Sequence, residues 1–177
     1  MRQEIKFCAD VYRLLFEHIY IDAAHPCYLC LDGSATEKGV RERLLLDCSM
    51  PDFFWYFKGS QQSFRMEAKI VANGKIHFCG DGQPKLWCAG SNLAYTPVLW
   101  LGMSETSPTM YYAWEHTEFA SVLCGLVGRG RTKGGKGKKK TLKVDIPQSA
   151  TTFDDLSHLV SYILTFSKQN TYYPIDS

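Results

Sequence analysis

The chain has 177 residues, 45% of them hydrophobic and 14% aromatic, and a formal net charge of +2. That is enough for one domain with a sizeable core, and no run approaches the ~18 uninterrupted apolar residues of a membrane span. Met1-Arg2-Gln3-Glu4 does not open like a secretory leader, so a cytoplasmic setting is expected, where seven cysteines read as metal ligands and buried thiols rather than disulfides.

Arg2 to Ile19 is predicted to be helical. Ile5, Cys8, Val11, Tyr12, Leu15 and Ile19 recur at three- and four-residue steps and give it one apolar face. Pro26 disfavours helix at His25, and the chain then enters Cys27-Tyr28-Leu29-Cys30, read as a tight turn. Residues 31–39 read as a loop, and Arg41 to Asp47 as a strand or a short helix. Pro51 to Phe57 is an aromatic block, read as a short helix capped by Ser49.

Phe64 to Ala72 and Lys75 to Cys79 flank Asn73-Gly74, two residues that tolerate the positive φ of a tight hairpin turn. Phe64, Met66, Ala68, Ile70 and Ala72 alternate with Arg65, Glu67 and Lys69, the pattern of a half-buried sheet. A Gly/Pro loop carrying Cys88 follows. Pro97 to Leu101 and Met110 to Trp114 read as strands. Glu115 to Val127 is a strand pair or a short helix capped at Thr117. Thr141 to Ile146 reads as a strand. Phe153 to Ser167 is a helix with a capping-box-like start at Thr152 and Asp155, its apolar face formed by Phe153, Leu156, Leu159, Val160, Ile163, Leu164 and Ser167. The order indicates one compact α+β domain over residues 1–177. It has an N-terminal helix and zinc-finger-like module (within residues 20–90), an antiparallel sheet with a hairpin, and a C-terminal helix. A basic Gly/Lys-rich loop occupies residues 128–143.

Two constellations carry chemistry. Cys27 and Cys30 have the C-x2-C spacing of half a tetrahedral zinc site, with Cys79 and Cys88 as the other half and Cys48, His25 and His77 in reserve. Four cysteines leave no open position for water, so such a zinc ion is structural. The second constellation is Arg129, Arg131, Lys133, Lys136, Lys138, Lys139, Lys140 and Lys143. These eight bases stand among glycines with no acid between them, leaving 12 basic against 18 acidic residues, a formal −6, for the rest of the chain. A concentrated cationic segment on an acidic body suits the phosphate backbone of RNA or DNA. Glu115, His116 and Glu118 could form an acid–base group, but no hydrolase, metalloprotease or dinucleotide motif accompanies them.

The short N-terminal helix, Pro26-Cys27-x-x-Cys30 with Gly33 following, the hairpin and the aromatic-rich strands resemble the zinc-finger large subunit of type IV CRISPR–Cas effector complexes, chiefly over residues 2–60. The resemblance implies a non-catalytic subunit at the 5′ end of the crRNA, with other protein subunits as partners, which helps recognise the duplex motif flanking the target. It also implies a four-cysteine finger whose first pair matches Cys27 and Cys30; Cys79 and Cys88 depart from the tight second pair. The expected function is therefore a zinc-stapled, nucleic-acid-binding subunit of a ribonucleoprotein. The alternatives are a protein-binding module, such as a phage- or plasmid-encoded inhibitor docking through the aromatic block, and a zinc-dependent nuclease.

Overall fold

The computed structural model describes residues 2–21, 27–31, 52–57, 63–79, 96–126 and 141–169. Helix α1 spans Arg2–Ile21. Strands β1 (Cys27–Leu31), β2 (Phe53–Phe57), β3 (Ser63–Val71) and β4 (Lys75–Cys79) follow, then β5 (Leu99–Ser104) and β6 (Tyr111–Glu115). Helix α2 (His116–Leu126), β7 (Thr141–Asp145), β8 (Thr151–Phe153) and α3 (Leu156–Gln169) complete the described part. The fold class is α+β.

Six strands form one sheet in the order β1-β2-β3-β5-β6-β8, and β4 and β7 form a separate antiparallel ribbon. The expected antiparallel sheet is mixed, because β3 and β5 run parallel from Met66↔Leu99 to Val71↔Ser104. A parallel pair needs a crossover, and residues 72–98, with β4 among them, supply it.

The Asn73-Gly74 turn forms as expected, with φ values of 51° and 71°. The long hairpin does not. Only the Ala72↔Lys75 bridge joins the two arms before β4 leaves to pair with β7. The aromatic block is strand β2 and not a helix. Consecutive aromatics favour a pleated surface, and both edges of β2 are paired, to β1 and to β3. The segment left open between helix and strand is α2. Helix α3 begins three residues later than expected, because Thr152 and Phe153 belong to β8 and Asp155 is the capping residue, its Oδ1 accepting from Ser157 N–H at 2.6 Å.

Both faces of the sheet are covered along β3, β5 and β6. On one, α1 and α3 bury Phe7, Val11, Leu15, Leu159 and Ile163 against Phe64, Met66, Leu99 and Leu101. Phe7 takes the core position that periodicity gave to Ile5, which is 51% exposed. On the other face, α2 and the ribbon bring Phe119, Leu123, Ile76, Phe78 and Val144 onto Trp100 and Trp114. The two indoles are cross-strand partners, stacked at 6.1 Å, with Phe119 edge-on to Trp100 at 5.0 Å. Gly102, two residues after Trp100, is paired with Tyr112, and a Cβ there would meet Val71 Cγ2 at 2.7 Å. Cys8, on the apolar face of α1, is buried, and Cys124 is exposed on α2.

Candidate active site

Strand β3 is apolar along most of its length, yet Glu67 and Lys69 are both buried in its middle, at 2% and 8% exposure. Two residues apart, they share one face of the strand. Lys69 Nζ donates to Glu67 Oε1 at 2.6 Å. The polar face expected to meet water is therefore interior at these two positions.

Two more carboxylates reach this pair from other elements. Register between β2 and β3 ends at Phe53↔Met66. Asp52, the residue just before β2, sits beyond that last pair, and its Oδ2 accepts from Ala68 N–H at 2.8 Å. It thereby satisfies a backbone donor of β3 at the point where β2 no longer pairs. Glu4, in the first turn of α1, places Oε1 3.8 Å from Lys69 Nζ. Asp52 is half-buried and the Glu4 side chain is 33% exposed, so these two mark the solvent side of the group.

The electrostatics follow from the count. Among the described residues, one ammonium faces three carboxylates. Burial works to lower the Lys69 pKa, but Glu67, Asp52 and Glu4 outweigh it and hold the value above the ordinary lysine range. Lys69 therefore keeps its proton. The surplus negative charge falls on the most deeply buried acid: burial, then Asp52, push Glu67 well above the ordinary glutamate value against the opposing pull of Lys69. Glu67 Oε2 has no hydrogen-bond partner among the described residues. The neighbouring Cys8 thiol is pushed up by burial first and by Asp52, Glu4 and Glu67 next, so it is an inert core group.

A carboxylate oxygen that is buried and has no hydrogen-bond partner among the described residues is a position that a hard divalent cation or a proton would stabilise. Magnesium commonly takes one or two protein carboxylates, with waters and substrate phosphates completing its shell. Asp52 and Glu67 are the carboxylates that could hold it. No group of three or more His, Cys, Asp or Glu that could hold a metal is found among the described residues, so Glu4, Asp52 and Glu67 are not gathered around one ion position.

Those of the residues singled out in the sequence that are described lie on other strands and on α2. Cys27 and Cys30 are on β1, where the expected tight turn is a strand registered on Phe57 and Phe54. Cys79 ends β4, opposite Thr141. Cys88 and the stretch Arg129, Arg131, Lys133, Lys136, Lys138, Lys139 and Lys140 lie outside the described residues. Lys143 is exposed on β7. His116 is engaged in packing: its Nδ1 accepts from Trp100 Nε1–H at 3.0 Å, and burial lowers its pKa. Glu118 accepts from Ser149 Oγ at 2.7 Å, so the Glu115, His116 and Glu118 group is not assembled as one acid–base unit.

The signal that sequence reasoning missed is Pro51-Asp52 ahead of one strand and Glu67-Ala68-Lys69 inside the next. Opposite charges two apart in the middle of Phe64–Val71 have no place in an apolar strand unless something there needs them.

No protein-family model matches the sequence, and no curated protein matches it. Among the described residues no helix is long and apolar enough to cross a membrane.

Proposed function

We propose that the chain is a metal-dependent nuclease, with Asp52, Glu67 and Lys69 at its centre and Glu4 supporting Lys69. The observation that carries this reading is the burial of Glu67 and Lys69 side by side with a surplus of carboxylates around them. Natural cores rarely bury such charge without a use for it, because the desolvation cost is several kcal/mol per ion. The cationic segment from Arg129 to Lys143 supplies the affinity for a polyanionic substrate.

The chemistry is phosphodiester hydrolysis. A water oxygen bonds to phosphorus, the ester P–O bond opposite it breaks, and the proton released by the water ends on the departing oxygen or in solvent. A divalent cation at Asp52 and Glu67 would polarise the phosphoryl oxygen and acidify a bound water. Lys69 stays protonated, so it is not the base; its ammonium neutralises charge that builds on the phosphoryl oxygens.

The test is cleavage of labelled DNA and RNA by the purified chain with Mg2+ or Mn2+. Asp52→Asn and Lys69→Met should each lower the rate by at least ~100-fold, the size of effect expected when an electrostatic stabiliser is removed. Wild-type protein inactive on every substrate in both metals sinks the proposal.

A second reading, the non-catalytic ribonucleoprotein subunit similar to the type IV CRISPR–Cas large subunit, is favoured by Pro26-Cys27-x-x-Cys30 and by the cationic segment. It keeps a structural zinc at Cys27, Cys30, Cys79 and Cys88. Binding without cleavage, copurifying RNA and one zinc per chain in protein prepared without chelator would support it over the nuclease.

A further inference from the structure

His116 opens α2 and is tied to the sheet through two groups. Its backbone N–H donates to Val98 O at 3.0 Å. Its ring Nδ1 accepts from the indole N–H of Trp100, also at 3.0 Å, with the two ring planes 15° apart. An imidazole nitrogen that accepts carries no proton, so His116 is neutral with its proton on Nε2. Phe119 and Leu123 share that stripe of the helix, and both are fully buried against the tryptophans. Phe119 is edge-on to both indoles, at 5.0 and 5.9 Å.

The surrounding charges do not favour an imidazolium at this place. Residues 96–98 and strand β5 carry no charged group. Glu115 on β6 and Glu118 on α2 are the nearest acids in sequence. Glu118 accepts from Ser149 Oγ at 2.7 Å, and burial, not either carboxylate, sets the His116 pKa and holds it below the ordinary 6.5. On β3, Glu67 is the register partner of Trp100 and is bound to Lys69, whose ammonium lies 6.0 Å from the centre of the Phe78 ring. On the ribbon, Ile76, Phe78 and Val144 face the tryptophans, so the alternating Lys75, His77, Lys143 and Asp145 are on its other side. The first residue of a helix is also the positive end of its dipole, where a cation is disfavoured.

We propose that the His116–Trp100 hydrogen bond is an acid-sensitive latch: a proton bound at His116 Nδ1 breaks it and loosens α2 from the tryptophan face. With Nδ1 protonated, two N–H groups would confront each other across 3.0 Å, so the imidazole must turn out and the buried indole loses its acceptor. Loosening at His116 reaches Phe119 and Leu123, which hang on the same stripe. The helix concerned carries one carboxylate, Glu118, and no lysine or arginine. In sequence it leads directly to Arg129, the first base of the cationic segment. Acid therefore acts on the element that precedes that segment, whether or not the chain cleaves nucleic acid.

The test compares the full wild-type chain with His116→Asn, whose Oδ1 can accept the same indole N–H and does not titrate. Unfolding constants are measured by urea denaturation at pH 7.5 and pH 5. The wild-type constant divided by that of the variant should rise between about threefold and about 30-fold on acidification, the range open to one proton taken up below pH 6.5. Both proteins carry Glu67, so its own pH dependence cancels in this ratio. Hydrogen exchange of the α2 peptide, corrected for the intrinsic effect of pH, should lose protection at pH 5 in the wild type and keep it in His116→Asn. If His116→Asn does not fold, NMR of the wild type decides: the His116 ring should titrate below 6.5, and the Trp100 indole N–H resonance should move with the same midpoint. A ratio that does not change with pH, equal protection of α2 at both pH values, or a Trp100 resonance that ignores the His116 titration overturns the proposal.

Discussion

Lys69 Nζ stands 2.6 Å from Glu67 Oε1, and the oxygen on the other side of the same carboxylate, Oε2, has no partner among the described residues. One half of a buried carboxylate is thus satisfied by a cation of the protein's own. The other half is the point at which an additional cation or a proton would be most stabilising.

Glu67→Gln tests that asymmetry. Glutamine mimics the protonated acid, so the metal-free variant should melt at or above the wild-type temperature, while the upward shift that Mg2+ gives the wild type should disappear. Thermal melting with and without 10 mM Mg2+ reads both effects. A metal shift that survives in Glu67→Gln would place the cation elsewhere.

The pH dependence has a definite sign. The Glu67 pKa is raised on folding from its ordinary value of 4.5, so the folded chain binds the extra proton more tightly than the unfolded one. Stability without metal should therefore fall as pH rises above 4.5 and level off once the folded-state value is passed. Lys69 is also raised, from 10.5; its contribution is present below that value and is lost only at more alkaline pH. Urea midpoints in EDTA at pH 5 and pH 8 should differ in the wild type, and the difference should shrink in Glu67→Gln.

Lys69→Met removes the ammonium that Glu67, Asp52 and Glu4 share. Breaking a buried pair from one side typically costs ~3–5 kcal/mol. Glu67→Gln together with Lys69→Met should recover much of that loss, which chemical denaturation of the single and double variants would measure. Equal stability of Lys69→Met and wild type would mean that the pair is solvated in solution.

Much of the scaffold was legible from periodicity. The amphipathic stripes of α1 and α3 and the positive-φ signal of Asn73-Gly74 are local properties, and they survive in the fold. What was not legible depends on partners distant in sequence. Nothing local says that β4 pairs with β7 and not with β3, since the long stretch of chain between Cys79 and Thr141 carries no register signal. The alternation around Glu67 and Lys69 looks the same whether the polar face meets water or, as here, Phe78, Glu4 and Asp52. The cysteine spacing and the lysine run drew attention because they are compact motifs, whereas the buried charges come from three separate segments.

Gly102 is a position where shape rather than charge decides. A Cβ would fall 2.7 Å from Val71 Cγ2 and 3.2 Å from Trp114 Cζ3, inside a core with no slack. Gly102→Ala should destabilise by ~1–3 kcal/mol. Val71→Ala in the same chain removes the nearest methyl and should restore part of the loss, so the double-mutant cycle should show coupling. Additive losses would mean that the indole, and not Val71, sets the limit.

Leu159 tests the opposite face of the sheet. It is fully buried on α3, in the cluster that joins that helix to α1 and to Phe64 and Met66 of β3. Leu159→Asp places a carboxylate in that apolar layer, and the desolvation cost should exceed ~4 kcal/mol, a large share of the stability of a domain this size. The protein should be insoluble or should lack a cooperative melt. Leu159→Ala leaves a cavity without a charge and should cost ~2–5 kcal/mol while keeping the cooperative transition. A soluble, cooperatively melting Leu159→Asp chain would show that α3 does not cover the sheet in solution; the carboxylate group, built from α1, β3 and the start of β2, would then have to hold its geometry on α1 alone.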